Sequence, residues 1–159
     1  MQITIICVGK IKEKFYKEAV LEYSKRLGRY CKLNIIEVAD EMTPDGASDN
    51  LKLQIMEKEA DRILSKLPAD AHVISLEIKG QEYTSEALSS YMESLGISGI
   101  SHIVFIIGGS LGLHPSVSDR ADMHLSFSRM TFPHQLMRVI LLEQIYRSYR
   151  IMNGEPYHK

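Results

Sequence analysis

Short apolar runs rich in β-branched residues alternate along the whole chain with segments of helical periodicity. Their lengths of four to seven residues and their polar, Gly or Pro flanks are typical of strands. The five runs lie at residues 2–8, 32–38, 72–77, 102–107 and 123–126. Because parallel strands need crossover connections, which are usually helical, this alternation predicts an α/β fold with a mostly parallel sheet and helices on both faces.

The segments between these runs have the signals of helices. Residues 15–27 carry an apolar side chain at every fourth position, and a similar pattern at residues 55–67 follows Ser48, which is placed as an N-cap. Ser85 is predicted to cap a shorter helix that ends near residue 95. Pro115 is predicted to open another helix, because proline is favoured at the first helical position.

A chain of 159 residues with 45% hydrophobic content is long enough to bury one core. No internal repeat, low-complexity segment or linker interrupts it, so we expect residues 1–159 to form a single domain. The acidic stretch at residues 37–49, which contains Pro44 and Gly46, is predicted to be a mobile loop.

The predicted last helix, residues 134–152, has apolar side chains in almost every direction. Its polar arc consists of Glu143, Arg147 and Arg150, and the first two are spaced for an i,i+4 ion pair. A helix of this kind must be buried on more than one side. In a chain this short the second side indicates a homodimer, and the alternative is a central helix enclosed by its own domain.

The net charge of −1 conceals a basic segment. Residues 10–32 carry eight Lys or Arg against three Glu. Such a face is suited to the phosphates of a polyanion, although it is also compatible with an ordinary solvated helix surface. The cysteines, Cys7 and Cys31, lack metal or redox spacing and are predicted to be buried free thiols.

No window approaches the roughly 20 apolar residues of a membrane span, and the first residues lack the features of a signal peptide. The sequence therefore predicts a cytoplasmic protein without a membrane partner.

The glycine-rich loop at residues 108–112 follows an apolar strand and admits several chemistries. It matches the G-x-S-x-G nucleophile elbow at Ser110, with Asp119 or Asp122 and then His134 in the order of α/β-hydrolases. That elbow requires a helix directly after the serine, which Gly112 and Pro115 oppose. The loop also lacks the dinucleotide fingerprint. Its bare backbone suits a nucleoside ligand without phosphates, or else a crowded turn.

The dense loop at residues 126–134 leads into the last helix. It places two Phe and a Met beside Arg129, Thr131 and His134, a mixture typical of small-molecule pockets. Thr131 is placed to cap the helix near Pro133. The helix N-terminus disfavours imidazolium, so His134 is expected to be neutral and able to act as a base, with a structural hydrogen-bonded role as the alternative.

Arg138 lies one helical turn after His134 among apolar neighbours. An unpaired buried cation is costly, so this side chain needs an anionic partner. The candidates are a phosphate or carboxylate of a ligand, or a structural ion pair with Glu143 or an upstream acid.

Several segments together resemble the SPOUT (α/β-knot) methyltransferases, and specifically their small members that act on N3 of a pseudouridine in large-subunit (23S) ribosomal RNA. The resemblance covers the whole chain. The most specific block is Leu-Ser-Phe-Ser-Arg-Met-Thr-Phe-Pro-His-Gln-Leu-Met-Arg, at residues 125–138. It is accompanied by residues 5–10, the Leu76-Glu77 pair, residues 105–112 and the tail at residues 154–159.

The resemblance implies a C-terminal trefoil knot that holds S-adenosylmethionine, and no metal. The residues that it assigns to this cofactor are Leu76, Gly108, Phe127, Ser128, Arg129, Met130, Thr131 and Phe132. It further implies a homodimer in which the tail, including Tyr157 and His158, reaches the partner's pocket.

The implied chemistry is an in-line methyl transfer to a nitrogen that must lose its proton. The predicted catalytic residues are His134, Arg138, Tyr157 and His158. His134 or His158 is the candidate general base, and Arg138 is expected to steady a phosphate or a developing anionic carbonyl. The basic segment and Arg129 are expected to contact phosphates of ribosomal RNA on the assembled ribosome. The rival hypothesis is a ribosome-binding factor that has the knot but no activity.

Overall fold

The computed structural model describes all residues 1–159 as five strands alternating with five helices. In chain order these elements are β1 (Gln2–Val8), α1 (Lys14–Leu27), β2 (Lys32–Val38), α2 (Asp49–Leu64), β3 (His72–Glu82), α3 (Ser85–Ile97), β4 (His102–Ile107), α4 (Pro115–Arg120), β5 (Met123–Ser126) and α5 (His134–Met152). All five predicted strands are present. None of the helices combines the length and apolar content needed to cross a membrane.

The strands form one sheet in the order β2-β1-β4-β3-β5, and every neighbouring pair is parallel. The predicted α/β fold is therefore confirmed. The sheet is covered on both faces because successive side chains of a strand point in opposite directions. Along β1, Ile3, Ile5 and Cys7 join the core beneath α1, α3 and α5. Ile6 and Val8 join the core beneath α2 and α4.

Strand β3 continues five residues beyond its predicted end. Leu76 and Gln81 both pair with Leu125 of β5, so the four residues between them form an irregularity in the ladder. A Cβ at Gly80 would lie 2.8 Å from the backbone oxygen of His124, so this close approach requires glycine. At this point β3 packs closely against β5, beside the pocket described below. The trefoil knot stays a prediction.

Two of the predicted helix caps are wrong. Ser48 caps α2 as predicted, accepting a hydrogen bond from the Leu51 amide. Thr84, not Ser85, caps α3, because Ser85 is already helical and its hydroxyl donates to Gln144 of α5 at 2.7 Å. Thr131 does not cap α5, since Pro133 occupies the cap position and offers no side-chain acceptor.

Helix α5 lies against both α1 and α3. Leu141, Leu142, Ile145 and Tyr146 on its inner side are buried by its own chain. Leu136, Val139 and Ile140 are only partly covered, and they do not belong to either core. The predicted ion pair between Glu143 and Arg147 is present at 2.7 Å.

A candidate binding pocket at the carboxyl edge of the sheet

A cavity of about 600 Å³ opens at the ends of β4 and β5, beside the irregular part of β3. Its walls come from residues 76–79, residues 107–113, six of the eight residues at 125–132, and the first turn of α5. Ligand sites of parallel α/β sheets commonly lie at this edge, and the volume is typical of a small-molecule site. Ten of the 19 lining residues are hydrophobic, which favours a largely uncharged ligand.

The cavity brings together the two loops that the sequence singled out. Seven of the eight residues predicted to bind the cofactor line it, namely Leu76, Gly108, Phe127, Ser128, Met130, Thr131 and Phe132. His134 also lines the cavity, whereas Arg129 does not. This placement agrees with a shared site, and the binding role of each residue stays a prediction.

The glycine-rich loop is a compact turn. Gly109 and Gly112 form an isolated bridge, with the Gly112 amide donating to the Gly109 oxygen at 3.1 Å. A Cβ at Gly108 would lie 2.9 Å from the Gly112 carbonyl, so a side chain there would force the turn open. The next helix begins only at Pro115. The helix that a nucleophile elbow needs directly after Ser110 is therefore absent.

The loop before α5 folds back on itself. The Ser126 hydroxyl lies within hydrogen-bond distance of the backbone oxygens of Ile78 (2.9 Å) and Ser128 (3.2 Å). The Ser128 hydroxyl accepts from the Met130 amide at 3.0 Å. These contacts tie the loop to β3 on the opposite wall, while the Met130 side chain remains 73% exposed.

His134 stands at the rim of the cavity as the first residue of α5. Burial is the main cause that lowers its pKa, and the cations of Arg138 and Lys12 lower it further, while the Asp40 carboxylate raises it. The pKa is lowered overall, which favours the neutral ring that the sequence led us to expect. The helix N-terminus was the only cause expected from the sequence, whereas burial and two nearby cations account for the lowered pKa in the structure.

Arg138 is buried away from the cavity, with 2% of its side chain exposed. Its guanidinium pairs with Glu37 at 3.2 Å and donates to the backbone oxygens of Gly9 (2.7 Å) and Val8 (3.3 Å). Of the partners considered from the sequence, the structure therefore has an upstream acid. These contacts tie α5 to the ends of β1 and β2. Arg138 does not line the pocket, its Nε has no hydrogen-bond partner, and its predicted catalytic role stays a prediction.

The C-terminal tail lies along the outside of α5 and does not line its own chain's cavity. The Tyr157 hydroxyl donates to Glu143 at 3.1 Å, and its ring lies 4.7 Å from the Arg147 guanidinium. His158 lies 2.7 Å from the Glu86 carboxylate of α3 and 3.2 Å from the Arg147 guanidinium. Both predicted tail residues are thus brought together with the polar arc of α5.

Sequence reasoning missed how firmly the first residues after β2 are held. Arg62 of α2 donates to the Ala39 oxygen at 2.9 Å and pairs with the Glu41 carboxylate. Glu59 of α2, only 6% exposed, accepts from the Glu41 amide at 3.1 Å. The predicted mobile loop at residues 37–49 therefore begins with two strand residues and a tethered turn. The spacing of Glu59 and Arg62, three residues apart on one helix, is the sequence signal that could have indicated this tether.

Fold and site together define a class of protein: a parallel α/β domain with a mostly apolar cavity at the carboxyl edge of its sheet, beside a histidine whose pKa is lowered. Comparison with known proteins identifies the family within this class. The family model described as predicted SPOUT methyltransferase matches residues 1–158. The chain belongs to the SPOUT methyltransferase family.

Individual relatives match over the full length of both chains. A Bifidobacterium adolescentis protein named ribosomal RNA large subunit methyltransferase H is 63% identical over 159 residues, all of both chains. A Clostridium tetani protein of the same name is 62% identical over the same span. A Methanococcus maripaludis relative is 65% identical, again over all of both chains.

Proposed function

We propose that this protein transfers a methyl group from S-adenosylmethionine to N3 of a pseudouridine in 23S ribosomal RNA, on the assembled ribosome in the cytoplasm. The observation that carries the proposal is the single cavity lined by seven of the eight residues that the family resemblance assigns to the methyl donor. The names of the full-length relatives support ribosomal RNA as the acceptor.

The cavity suits the methyl donor, which presents an adenosine without phosphates. Lys79 is its only lysine or arginine, so no cluster of cations is available for a phosphate chain. Gly108, Gly109 and Gly112 expose backbone donors and acceptors, while Phe127 and Phe132 offer apolar surface for a base. When bound, S-adenosylmethionine supplies an electrophilic methyl group that needs no metal.

The remaining chemistry falls to groups at the rim of the cavity. The acceptor nitrogen carries a proton that must leave, and the neutral ring of His134 is placed to accept it. Arg138 was predicted to act on the substrate. Its contacts favour a positioning role instead, because they fix the backbone of residues 8 and 9 beside that histidine.

A homodimer would cover the apolar outer side of α5. Leu136, Val139 and Ile140 are partly exposed there, and α1 adds Phe15, which is 61% exposed. Phe15 lies on the side of α1 that faces α5, because Arg26 three turns later approaches the Tyr146 ring to 5.8 Å. In this dimer the tail residues Tyr157 and His158 would complete the partner's pocket.

The exposed lysines at the start of α1 are proposed to contact ribosomal RNA. Lys12, Lys14 and Lys17 are exposed, and the Lys12 amide donates to Gln135 beside His134 at 3.0 Å. This contact places positive charge next to the pocket entrance. Arg129, which is exposed on the loop before α5, is proposed to contribute in the same way.

The test is methyl transfer to ribosomes from cells that lack this protein. Purified protein and labelled S-adenosylmethionine should place the label on N3 of a pseudouridine, identified by nucleoside mass spectrometry. Calorimetry should detect both the donor and S-adenosylhomocysteine. A non-enzymatic ribosome-binding factor would instead associate with ribosomes without transfer, and this outcome would overturn the proposal.

A further inference from the structure

An aspartate that the sequence did not single out lies next to His134. A Cβ built on Gly9 would lie 3.7 Å from Nε2 of His134 and also 3.7 Å from Cγ of Asp40. The imidazole and the carboxylate thus approach the same small space above the end of β1. Gly9 keeps that space open, and its φ of +85° is one that L side chains rarely adopt.

The backbone on both sides of Asp40 is fixed. The Ala39 oxygen accepts from Arg62, and the Glu41 amide donates to the buried Glu59. The carboxylate of Asp40 itself forms no hydrogen bond or ion pair within the chain. Two buried or partly buried side chains of α2 therefore hold an exposed, unpaired carboxylate in a defined place beside His134.

The charges around His134 indicate how this carboxylate affects the ring. Arg138 from α5 and Lys12 from the loop after β1 are both cationic and both disfavour a proton on the ring. Asp40 is the anion that raises the pKa of the ring, while Glu37 is paired with Arg138 and Glu59 accepts from the Glu41 amide. A proton accepted by His134 would create a third positive charge in this cluster.

We propose that Asp40 supports His134 through its charge, stabilising across the space above Gly9 the imidazolium that forms during methyl transfer. In that step the acceptor nitrogen bonds to the methyl carbon and the electron pair of the broken carbon–sulfur bond stays on sulfur. The nitrogen's proton passes to Nδ1 of His134, the ring nitrogen opposite the one that faces Asp40, and then to solvent. A carboxylate that stabilises the imidazolium of a basic histidine is a recurring arrangement in enzymes. This inference rests on the proposed function.

The first experiment follows the His134 ring by NMR titration of the full chain without ligands. Asp40→Asn removes the anion that raises the pKa of His134, so this pKa should fall further below its ordinary value. Asp45→Asn, an exposed aspartate of the same loop, is the matched control and should leave that pKa unchanged. Equal pKa values in the wild type and Asp40→Asn would overturn the proposal before any activity is measured.

The second experiment measures the pH profile of kcat for methyl transfer to ribosomes. Asp40→Asn should lower kcat about ten- to a hundredfold, within the range of general-base effects. Its KM for S-adenosylmethionine should stay within about twofold of the wild-type value. The base must be neutral, so a lower pKa moves the acidic limb of the profile to lower pH. Asp40→Glu should restore part of the rate.

Two outcomes separate this proposal from the one on which it rests. If His134→Ala keeps the wild-type rate and acidic limb, then His134 is not the base, and that part of the proposed function fails. If His134→Ala loses the wild-type rate and the acidic limb while Asp40→Asn behaves as the wild type, the Asp40 proposal alone fails. A fall in kcat for Asp40→Asn without a shift of the limb would also overturn it. Unchanged melting temperatures exclude a folding defect.

Discussion

Each half of α5 carries an arginine that is paired with a glutamate, and the two partners lie at very different distances along the chain. Arg138 in the first half is almost completely buried and bonds to Glu37 and two backbone oxygens of β1 and its loop. Arg147 in the second half is 25% exposed and pairs with Glu143 of its own helix. The first contact joins distant parts of the chain, whereas the second is local and holds the tail.

The outer surfaces of the two halves differ accordingly. The second half is covered by Tyr157, whose ring packs against Tyr146 at 5.0 Å and against Arg147. The first half has no such cover over Leu136, Val139 and Ile140. The comparison indicates that the first half combines the pocket rim with a surface for a partner, while the second half anchors a segment proposed to act there.

The largest expected effect is on stability, from replacing Arg138. Arg138→Met keeps the volume but removes the charge, so Glu37 and two backbone oxygens lose their partner. Because Glu37 is one-third exposed, we expect a loss of about 3 kcal/mol in the free energy of unfolding, at the low end for broken buried pairs. Urea denaturation measures this. A loss below about 1 kcal/mol would show that this ion pair is no more important than a surface pair.

Removal of the tail should affect activity more than stability. A chain ending before Tyr157 is expected to lose at least about a hundredfold in methyl transfer, equivalent to about 2.7 kcal/mol of barrier. Calorimetry should show unchanged affinity for S-adenosylmethionine, because the tail does not line its own chain's cavity. Mixing this chain with His134→Ala sharpens the comparison, since heterodimers should recover activity only if the tail acts in the partner's pocket.

A charge on the outer apolar surface should weaken the dimer. Phe15→Glu is expected to raise the dissociation constant about tenfold or more, because it places an anion on the side of α1 that faces α5. Leu21→Glu is the matched control: Leu21 is 60% exposed and lies about 120° away around the same helix. Sedimentation velocity distinguishes them. Equal behaviour of the two variants would mean that the interface lies elsewhere.

The smallest expected effect comes from Arg147. Arg147→Ala removes an i,i+4 ion pair and a cation–π contact at a partly exposed site, so we expect a loss of less than about 1 kcal/mol in the free energy of unfolding. The tail should become more accessible, which limited proteolysis near residue 155 would detect. A loss as large as that of Arg138→Met would remove the distinction between the two halves.

The sequence predicted the strands well because burial on both faces leaves continuous β-branched runs that are visible locally. It also predicted the loops of the cavity, since Gly108 and residues 126–134 are unusual on their own. The error at the N-cap of α3 arose because two neighbouring residues were equally suited to that position. Thr84 and Ser85 can both cap a helix, and only the contact between Ser85 and Gln144 on α5 selects between them.

Partners from distant segments decided the rest. The sequence showed that Arg138 needed an anion, but Glu37 lies 101 residues away and becomes available only when β2 lies beside β1. In the same way Asp40 is an ordinary loop residue until α2 fixes its neighbours and α5 brings His134 to Gly9. Period and composition depend on near neighbours in the chain, so they determined the elements and the loops that line the cavity. Contacts between elements depend on packing in three dimensions, so only the tertiary structure determined which charges meet.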